Sequence, residues 1–587
     1  MSEKFLVCVA WPYASSSIHV GNMAGADLPP DIFARYQRLR GNDVLMVSGS
    51  DSHGTPITVR ADQEGSTPRE VFERFHDEFL DTFEKMGLTY DLFTHTDTEN
   101  HHHVARTLFT RLLENGYLYT KTKDHLYSVA EGRFLPDRYV EGTCPHCGYD
   151  GARGDQCENC GKLLDAIELI NPRSRNDGST PEVRETTHYF LDLPALGDRL
   201  VAWLDEDKDH WRPNVINFSR NMARKLQARP ITRDLAWGIP VPVEGWDDKC
   251  LYVWFEAVIG YLSASIEWAK NQEQPDKWQD WWYNPDARTV YFIGKDNIPF
   301  HTIIWPGILL GAEKLYSEHK GHLNLPYNVP SNEFLNMESR KVSGSRGWAV
   351  WVLDFLSRYD PDALRYYLTA NAPETRDTDF TWEDFVRRNN DELVATWGNL
   401  ANRVLSFAYK RFDETVPEPG ELDEADKALL QKIEAGFEPV GALIDACKFR
   451  TALGEVMALA REVNRYLDDK APWFQIKQDR GAASTSLYVA LRAIDSLKTL
   501  FTPFLPFSSQ ALHEMLGYEG NLFGRQYVAA FEEETRRHQA LCYDPNGLTE
   551  RWEPSQLPPG QALRSPKPLF KKLEESVAEE ELARMSR

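Results

Sequence analysis

The feature that most constrains this chain is a strand–turn–helix pattern close to its start. An apolar run, Phe5–Ala10, is followed by Pro12 and by a cluster of three serines that ends at Ser17. Such a run, closed by Pro and Ser, predicts a buried strand that leads into a tight turn. The turn opens a predicted helix near Gly21, and the start of such a helix attracts anions through free N–H groups and the helix dipole. His19, in the turn itself, adds a hydrogen-bond donor suited to a phosphate.

A second buried strand with polar residues at its end supports an α/β fold. The run Val44–Gly49 is followed by Ser50, Asp51, Ser52 and His53. Doubly wound parallel sheets place their ligands at the carboxyl ends of their strands. We therefore expect a doubly wound unit with a ligand site near this polar cluster.

The pattern of the sequence changes twice further along the chain. Between about Gly116 and Arg229, short strands, turns and a cysteine cluster replace the α/β pattern, which resumes with strands such as Val290–Ile293. This order indicates a domain inserted between two halves of an α/β unit. From about Trp382 onward, apolar residues recur at helical spacing, which predicts a C-terminal helix bundle. The histidines at 101–103 lie in a predicted helix, where we expect them to be solvated or lightly packed.

Length and charge bound the class of protein. The chain has 587 residues, which is enough for roughly three or four domains. Its formal net charge of −23 argues against indiscriminate nucleic-acid binding but allows a local basic groove. The sequence has no long unbroken apolar run and no positively charged leader. We therefore expect no membrane span, no secretion signal and a cytoplasmic location.

Four of the eight cysteines form a metal-binding pattern. Cys144, Cys147, Cys157 and Cys160 make two C-x2-C pairs, and a glycine follows each pair. Four converging thiolates close a tetrahedral Zn²⁺ shell with no open position, so we predict one structural zinc rather than a redox dithiol. Such an ion stabilises an inserted domain that has little core of its own. The other four cysteines are scattered, which fits a reducing compartment.

Three distant stretches together resemble a known enzyme family. They are Ile18-His-Val-Gly-Asn22, Gly294-Lys-Asp296 with Phe300-His301, and Lys341-Val-Ser-Gly-Ser-Arg346. The first and third resemble the two signature motifs of class I aminoacyl-tRNA synthetases, usually written HIGH and KMSKS. Finer matches are similar to the methionyl-tRNA synthetases and extend from Phe5 to Trp473. These matches are Ala10-Trp-Pro-Tyr13, Ser50-Asp-Ser-His-Gly-Thr-Pro56, the four clustered cysteines, Trp237-Gly-Ile-Pro240, Tyr252-Val-Trp254, Ala257, Ile259-Gly-Tyr261 and the segment from Asn464 to Trp473.

The resemblance implies a fold and a division of the chain. The fold would be a Rossmann-type parallel-sheet catalytic domain, split by a zinc-binding connective insert and followed by an all-α anticodon-binding helix bundle. The implied segments are 1–115 and 231–325 for the two halves of the catalytic domain, 116–230 for the insert, 326–385 for a stem-contact region with the KMSKS-like loop, 386–540 for the anticodon-binding domain and 541–587 for a C-terminal tail. The residue pattern alone gives the same partition except for the stem-contact region.

The resemblance also implies a reaction, the ligation of L-methionine to tRNA(Met) with ATP and Mg²⁺ by a monomeric enzyme. The methionine carboxylate would attack the α-phosphate, and a ribose hydroxyl of the tRNA would then attack the adenylate. Neither step needs an enzymatic nucleophile, so catalysis rests on alignment and on stabilisation of phosphate charge. The residues that match the family's catalytic positions are His19, Asn22 and Lys341. Those that match its ATP-binding positions are His19, Gly21, Asn22, Gly294, Asp296, Lys341 and Ser343.

The amino-acid pocket and the anticodon site follow from the same resemblance. Asp51 would hold the substrate ammonium, Arg233 would keep Asp51 ionised, and aromatic side chains would surround the thioether. The full set implied for methionine is Ala10, Trp11, Tyr13, Asp51, Arg233, Trp254, Ala257, Tyr261, Asn297 and His301. The residues that match the anticodon readers are Asn399, Arg403 and Trp473. An amide, a guanidinium and an indole suit the recognition of splayed bases by hydrogen bonding and stacking.

Two positions depart from the usual signatures. Asn22 stands where the first motif commonly has its second histidine, and an amide still donates a hydrogen bond. Gly344 stands where KMSKS has its second lysine, and a missing cation weakens charge stabilisation unless Arg340 or Arg346 replaces it. One alternative is therefore a tRNA-binding paralogue with impaired activation. Another is a class I synthetase for a different apolar amino acid, although those for leucine, valine or isoleucine carry a larger editing insertion than this zinc-bearing one.

Overall fold

The first segment of the chain builds the centre of a parallel sheet. The structure is a computed structural model that describes residues 2–136, 139–154, 157, 159–160, 164–316, 321–340, 342 and 348–585. The elements of this segment are β1 (Lys4–Val9), α1 (Val20–Asn22), α2 (Leu28–Leu39), β2 (Asp43–Ser50), α3 (Thr55–Glu64), α4 (Pro68–Met86), β3 (Leu92–His95) and α5 (Glu99–Glu114). β1 pairs in parallel with β2, and β2 pairs in parallel with β3. Their apolar side chains are buried on both faces of the sheet, as helical crossovers require.

Local sequence signals set the ends of these helices. α4 begins with a reciprocal cap in which Thr67 accepts a hydrogen bond from the Glu70 backbone and Glu70 accepts one from the Thr67 backbone. It ends at Gly87, whose φ of 71° suits glycine. Between α1 and α2 the helix contains a π-helical segment, Met23–Asp27. Such segments are rare and frequently mark functional sites.

The insert is a separate layer of short strands and two helices. Its elements are β4 (Leu118–Ser128), β5 (Arg133–Phe134), β6 (Val140–Thr143), β7 (Ala152–Arg153), β8 (Ile170–Ser174), β9 (Glu182–Leu191), α6 (Gly197–Asp205), α7 (Pro213–Ala223), β10 (Arg229–Pro230) and β11 (Thr232–Arg233). Its longest strands, β4 and β9, form an antiparallel pair. The part around β6–β8 has its own small core, which includes Leu135, Val140, Cys144 and Cys157. So small a core gains from a metal cross-link.

The second half of the α/β unit completes the parallel sheet. Its elements are β12 (Cys250–Leu251), α8 (Val253–Asn271), α9 (Gln279–Trp282), β13 (Arg288–Gly294), α10 (Trp305–Gly311) and β14 (Ser331–Asn332). β13 pairs in parallel with β1, and β14 pairs with β13. The carboxyl ends of β1, β2 and β13 therefore meet at one edge, as the sequence predicts for a Rossmann-type sheet.

A connecting region and a helix bundle follow, which confirms the predicted all-α domain after the α/β unit. The connecting region holds β15 (Leu335–Met337), α11 (Val352–Leu356), α12 (Pro361–Ala370) and β16 (Thr378–Phe380). The bundle holds α13 (Trp382–Arg388), α14 (Asn399–Arg411), α15 (Glu424–Ala435), α16 (Phe437–Asp445), α17 (Phe449–Lys470), α18 (Pro472–Gln475), α19 (Arg480–Phe501) and α20 (Pro506–Met515). A wide apolar core runs from the sheet into the bundle. In the described ranges, no helix is long and apolar enough to cross a membrane.

A buried ion-pair network fixes the connecting region to its neighbours. Arg365 is fully buried and donates to Asp31 on α2 at 2.7 Å. It also donates to the backbone carbonyls of Met86 and Phe504, which belong to the α/β unit and to the bundle. Burial alone would raise the pKa of Asp31, but Arg35 and Arg365 outweigh it and lower that pKa to about 2. One guanidinium thus joins three parts of the chain.

The last part of the chain returns to the α/β unit. β17 (Arg525–Glu532) and β18 (Arg537–Asp544) form a hairpin, and α21 (Ser576–Met585) follows it. β18 pairs in the antiparallel sense with β3, so the sheet has the order β14-β13-β1-β2-β3-β18-β17. Helices are predicted up to residue 540, and the hairpin overturns the last part of that prediction. The two strands pair with each other and with β3, which is far away in the chain, so the helical spacing upstream carried no information about them.

Candidate active site

The predicted phosphate turn is closed by two reciprocal hydrogen bonds. His19 is the N-cap of α1, with φ −109° and ψ 166°. The backbone N–H of Asn22 donates to His19 Nδ1 at 3.1 Å, and the backbone N–H of His19 donates to Asn22 Oδ1 at 3.2 Å. A Cβ on Gly21 would lie 3.0 Å from the imidazole ring. The glycine therefore allows the ring to fold back over the helix start.

These contacts determine which form of His19 is present. Burial lowers the pKa of His19 to about 4, so the ring is neutral near pH 7. Because Nδ1 accepts a hydrogen bond, the single ring proton of the neutral form resides on Nε2. His19 can therefore donate through Nε2 without adding a charge to the site.

A cavity of about 300 Å³ lies beside this turn. It brings together seven of the predicted site residues, which are Ala10, Trp11, His19, Gly21, Asn22, Gly294 and Asn297. The other residues that line the cavity were not predicted as site residues. They are Pro12, Gly25, Ala26, Asp27, Glu333, Phe334, Leu335 and Val342. The π-helical segment supplies three of these residues, Gly25, Ala26 and Asp27, and nothing in the sequence pattern indicated it. Asp296 is exposed and does not line the cavity.

One residue of the second signature, and the segment that follows it, lie beside the first signature. Of the residues 341–347, the structure describes Val342, which lines the cavity. Lys341, Ser343 and Gly344 lie outside the described residues. The segment that follows them is held against the first signature, since Val20 N donates to Val350 O at 3.0 Å and Val352 N donates to Ile18 O at 2.9 Å. These bonds hold Val350 and Val352 beside the turn that contains His19.

The predicted aromatic pocket forms next to the cavity. Trp254 and Ala257 are half-buried and lie on the same face of α8. Tyr13 meets Trp254 edge to face at 6.1 Å, and Phe300 stacks on Trp254 at 4.1 Å. Phe300 belongs to one of the stretches that resemble the family, but it was not among the predicted site residues. Stacking of this kind holds the indole in one orientation.

A short hydrogen-bond chain orders the other side of the pocket. Tyr261 donates its hydroxyl proton to His301 Nε2 at 2.6 Å, and His301 Nδ1 donates to the Asn297 carbonyl at 2.9 Å. Burial lowers the pKa of His301 to about 4, so the ring is neutral and both nitrogens are used. Trp11 packs edge to face on Tyr261 at 6.4 Å.

Asp51 lies at the end of β2, as the sequence predicts, but its predicted partner, Arg233, lies elsewhere. The carboxylate is buried at the end of β2, and Asp51 Oδ1 accepts from the His53 backbone at 3.2 Å. Burial and the nearby Glu256 carboxylate raise the pKa of Asp51 well above its usual range. The Arg233 guanidinium instead stacks on Tyr252 at 3.7 Å and forms no ion pair with Asp51. The predicted pairing of Arg233 with Asp51 is therefore absent from this structure.

A buried polar cluster behind Asp51 was missed. Glu256 on α8 is fully buried and bonds to His53 Nδ1 at 2.8 Å and to His101 Nε2 at 2.9 Å. The prediction that residues 101–103 are solvated or lightly packed is wrong for His101, which is 1% exposed. Successive helical residues point in different directions, so one of three must face the core while His103 stays exposed. A signal was present in the sequence, since His101 lies three and four positions before Val104 and Ala105 and therefore on the apolar face of α5.

The four clustered cysteines could hold a metal ion. Their sulfur atoms all lie within 4.8 Å of one another. The distances are 3.9 Å from Cys144 to Cys160 and 3.6 Å from Cys147 to Cys157. Thiolates bound to one tetrahedral zinc at about 2.3 Å lie about 3.8 Å apart, so the spacing fits that ion. Hydrogen bonds from the Tyr149 backbone and from Asn159 lower the pKa of Cys147 to about 6, which favours the thiolate that a metal requires.

The predicted anticodon readers also come together. Arg403 is exposed on α14, and its guanidinium stacks on the Trp473 indole at 4.4 Å. Asn399 is exposed one turn earlier on the same helix. Phe474, which is 68% exposed, adds a second aromatic surface that the sequence analysis did not single out. Arg403 and Trp473 are therefore in contact, and Asn399 lies on the same face of α14 as Arg403.

Comparisons with known proteins place this arrangement in a family. Residues 5–405 match the model described as tRNA synthetases class I (M), and residues 416–542 match that of the anticodon binding domain of methionyl tRNA ligase. The methionine–tRNA ligase of Thermomicrobium roseum is 58% identical over all of this chain and 99% of that protein. The corresponding ligase of Chloroflexus aggregans is 56% identical over all of this chain and 99% of that protein.

A solved structure agrees with these sequence matches. Mycobacterium tuberculosis methionyl-tRNA synthetase, in complex with methionyl-adenylate, superposes with a TM-score of 0.76 and 26% identity. The superposition covers 97% of this chain and 100% of that one. Two domain models in order, relatives of matching length and a shared fold all give the same answer. The chain belongs to the methionyl-tRNA synthetases of class I.

Proposed function

We propose that this chain ligates L-methionine to tRNA(Met) with ATP, through a methionyl-adenylate, and so provides methionyl-tRNA(Met) for translation. The observation that carries the proposal is the single cavity that joins the His19 turn to the strand end at Ala10 and Trp11. His19, a hydrogen-bond donor for a phosphate, therefore lines the same cavity as Ala10 and Trp11, which belong to the proposed methionine pocket. A reaction between a carboxylate and an α-phosphate needs this arrangement.

The first step needs no group of the enzyme to form a bond. A carboxylate oxygen of methionine attacks the α-phosphorus, and the bond to the β-phosphate oxygen breaks to release diphosphate with its Mg²⁺. Neutral His19 donates through Nε2 to a phosphate oxygen, and the Asn22 amide is a second donor. Donors that are already in place stabilise the developing charge without reorganisation. Gly21, Gly294, Asp296, Lys341 and Ser343 complete the proposed ATP site.

The amino-acid side of the site holds methionine by charge and by shape. Asp51 receives the ammonium group, and the cation stabilises the ionised form of a carboxyl that burial otherwise disfavours. The thioether lies among Trp11, Tyr13, Trp254 and Tyr261, where sulfur–aromatic contact is favourable. Ala10, Arg233, Ala257, Asn297 and His301 complete the proposed set. Because Tyr261 and Asn297 use both nitrogens of His301, that ring acts as a neutral wall.

The remaining proposed sites lie away from the reaction. Cys144, Cys147, Cys157 and Cys160 hold one Zn²⁺, which supplies a structural cross-link when bound. Asn399, Arg403 and Trp473 read anticodon bases by hydrogen bonding and stacking. The monomeric state and the cytoplasmic location stay predictions.

Methionine-dependent exchange of labelled diphosphate into ATP tests the first step, and charging of a tRNA(Met) transcript tests the second. We expect both activities in the full chain and a loss of exchange in His19→Ala. His103→Ala is a matched control, because His103 is exposed and lies outside the proposed site. A chain that binds tRNA but exchanges no diphosphate would be the paralogue with impaired activation. Faster exchange with leucine, isoleucine or valine than with methionine would favour the other alternative.

A further inference from the structure

The C-terminal hairpin touches the α/β unit at a second place besides β3. The turn between β17 and β18 lies against the start of α5. Glu533 accepts from the backbone N–H groups of Glu99 and Asn100 at 3.0 and 3.2 Å. Glu99 in return accepts from the backbone N–H groups of Glu534 and Thr535 at 3.0 and 2.8 Å. This reciprocal pairing fixes the turn in one position.

The fixed turn presents Arg536 to a buried carboxylate. Arg536 Nη1 donates to the Asp97 carbonyl at 2.6 Å and lies 2.5 Å from the Asp97 carboxylate. Arg69 approaches the same carboxylate at 2.7 Å from α4. Asp97 is 3% exposed. Burial would raise the pKa of Asp97, but hydrogen bonds from His102, His53 and Arg536 outweigh it and keep the group ionised.

From Asp97 the contacts lead to the amino-acid pocket. Asp97 Oδ1 lies 3.4 Å from His53 Nε2, and His53 Nδ1 bonds to Glu256 at 2.8 Å. The backbone N–H of His53 donates to Asp51 Oδ1. Burial would lower the pKa of His53, but Glu256 and Asp97 outweigh it and raise it to about 10. The imidazolium therefore lies among three buried carboxylates, one of which is the proposed ammonium site.

His53, Asp97 and His102 also lie close enough to share a metal ion. Two guanidinium groups already neutralise Asp97, however, and a protonated His53 adds a third positive charge. A further cation is disfavoured in such surroundings. The cluster is better described as an arrangement that orients His53.

We infer that Arg536 is a positioning residue for the methionine pocket, acting through Asp97 and His53 on the Asp51–Glu256 pair. The inference rests on the proposed function, because it takes Asp51 as the ammonium site. Without Arg536, the Asp97 carboxylate keeps one guanidinium and can turn away from His53. The His53 ring then no longer holds Glu256 in a fixed orientation, and the positive charge that faces Asp51 is no longer fixed in place. The cost falls on methionine binding, since Asp97, His53, Glu256 and Asp51 do not line the cavity beside His19.

The test is diphosphate exchange by the full chain, with KM measured for methionine and for ATP separately. Arg536→Gln is expected to raise the methionine KM by about 5-fold and to change the ATP KM by less than about 2-fold. Arg536→Lys is expected to restore most of the loss, because an ammonium can still reach Asp97. Arg537→Gln is the matched control, since its side chain is 65% exposed and pairs only with Glu532 among the described residues.

A double-variant cycle distinguishes positioning from simple loss of stability. If Arg536 acts through Asp97, then adding Arg536→Gln to Asp97→Asn raises the methionine KM by less than about 2-fold further. Equal rises of both KM values, or an unchanged methionine KM in Arg536→Gln, would overturn the inference. Absence of methionine-dependent exchange in the wild-type chain would instead overturn the proposed function. The two failures are therefore distinguishable.

Discussion

The side chain of Asn22 accepts a hydrogen bond from the backbone of His19, while its own backbone N–H donates to the His19 ring. This explains how asparagine serves at a position where histidine is common in related sequences. Asn22 closes the turn and still leaves an amide N–H₂ group beside the cavity. The two roles, capping and donation to phosphate, can be separated by substitution.

Asn22→Ala removes both roles, and Asn22→Asp removes one. We expect Asn22→Ala to lower the exchange rate by about 10- to 100-fold and the free energy of unfolding by about 0.5–1 kcal/mol. Asn22→Asp keeps the acceptor for the His19 N–H but places a negative charge beside phosphate. It should recover the stability in thermal unfolding and remain inactive in exchange. Recovery of activity by the aspartate would show that capping alone matters.

Gly260→Ala should disturb the methionine pocket through Trp11. A Cβ at Gly260 would lie 2.5 Å from the Trp11 ring, and both residues are confined by the core around β1 and α8. We expect a loss of about 1–3 kcal/mol in the free energy of unfolding and a raised methionine KM. Gly454→Ala is the matched control, because nothing lies within 4 Å of its Cβ position on α17. That variant should gain about 0.5–1 kcal/mol. Trp11→Leu combined with Gly260→Ala should regain stability relative to Gly260→Ala alone.

Cys157→Ser should release the predicted zinc and loosen the insert. The core around β6–β8 is small, so the binding free energy of the ion contributes directly to its folding. Metal analysis should find one zinc per wild-type chain and a substoichiometric amount in the variant, and limited proteolysis should cut the insert first. His146→Ala, which lies between two ligands but offers only its backbone to Cys144, should keep the metal. A metal-free variant with unchanged proteolysis would contradict a structural role.

Arg403→Ala should weaken tRNA recognition. The substitution removes the guanidinium that stacks on Trp473 and that is proposed to contact an anticodon base. Loss of one base-stacking contact costs about 1–3 kcal/mol. We expect the KM for tRNA(Met) in aminoacylation to rise accordingly. Arg465→Ala provides the comparison, since Arg465 is exposed on the bundle and pairs with Glu462. Equal effects of the two substitutions would indicate a general electrostatic contribution instead of an anticodon contact.

His301 predicts a dependence of stability on pH. Its pKa is lowered to about 4 in the fold, whereas an unperturbed histidine has a pKa of about 6.5. The unfolded chain therefore binds more protons between these values, and His301 lowers stability as the pH falls from about 6.5 towards 4. His301→Gln removes this titration. In urea unfolding, the stability difference between wild type and His301→Gln should shrink over that range, and a constant difference would contradict the prediction.

The parts of the molecule that the sequence predicted are those governed by local pattern. Unbroken apolar runs predicted β1 and β2, helical spacing predicted the bundle helices, and the ligand chemistry of C-x2-C pairs predicted the cysteine cluster. Because each of these signals lies within a short window, no knowledge of distant contacts was needed. The resemblance supplied the residues of the cavity, which the pattern alone would have left as an anion site.

The parts that the sequence did not predict depend on distant partners. Arg233 could form an ion pair with Asp51 or stack on the aromatic ring of Tyr252. Only the three-dimensional packing selects Tyr252 over Asp51. His101 and His103 are the same residue type two positions apart, yet the packing of α5 on α8 buries one and exposes the other. The pairing of β18 with β3 is a third case, since the sequence of a strand does not indicate which other strand it pairs with.

The pairing of β18 with β3 has a consequence for synthesis of the protein. Arg536 and Asp97 are 439 residues apart in the chain. During translation, the unpaired edge of β3 leaves the ribosome long before its partner strand exists, and open sheet edges invite aggregation. The nascent chain must keep this edge covered, or in contact with a chaperone, until the hairpin has emerged. The contact of Arg536 with Asp97, which we infer to position the amino-acid pocket, can form only after the hairpin has been made.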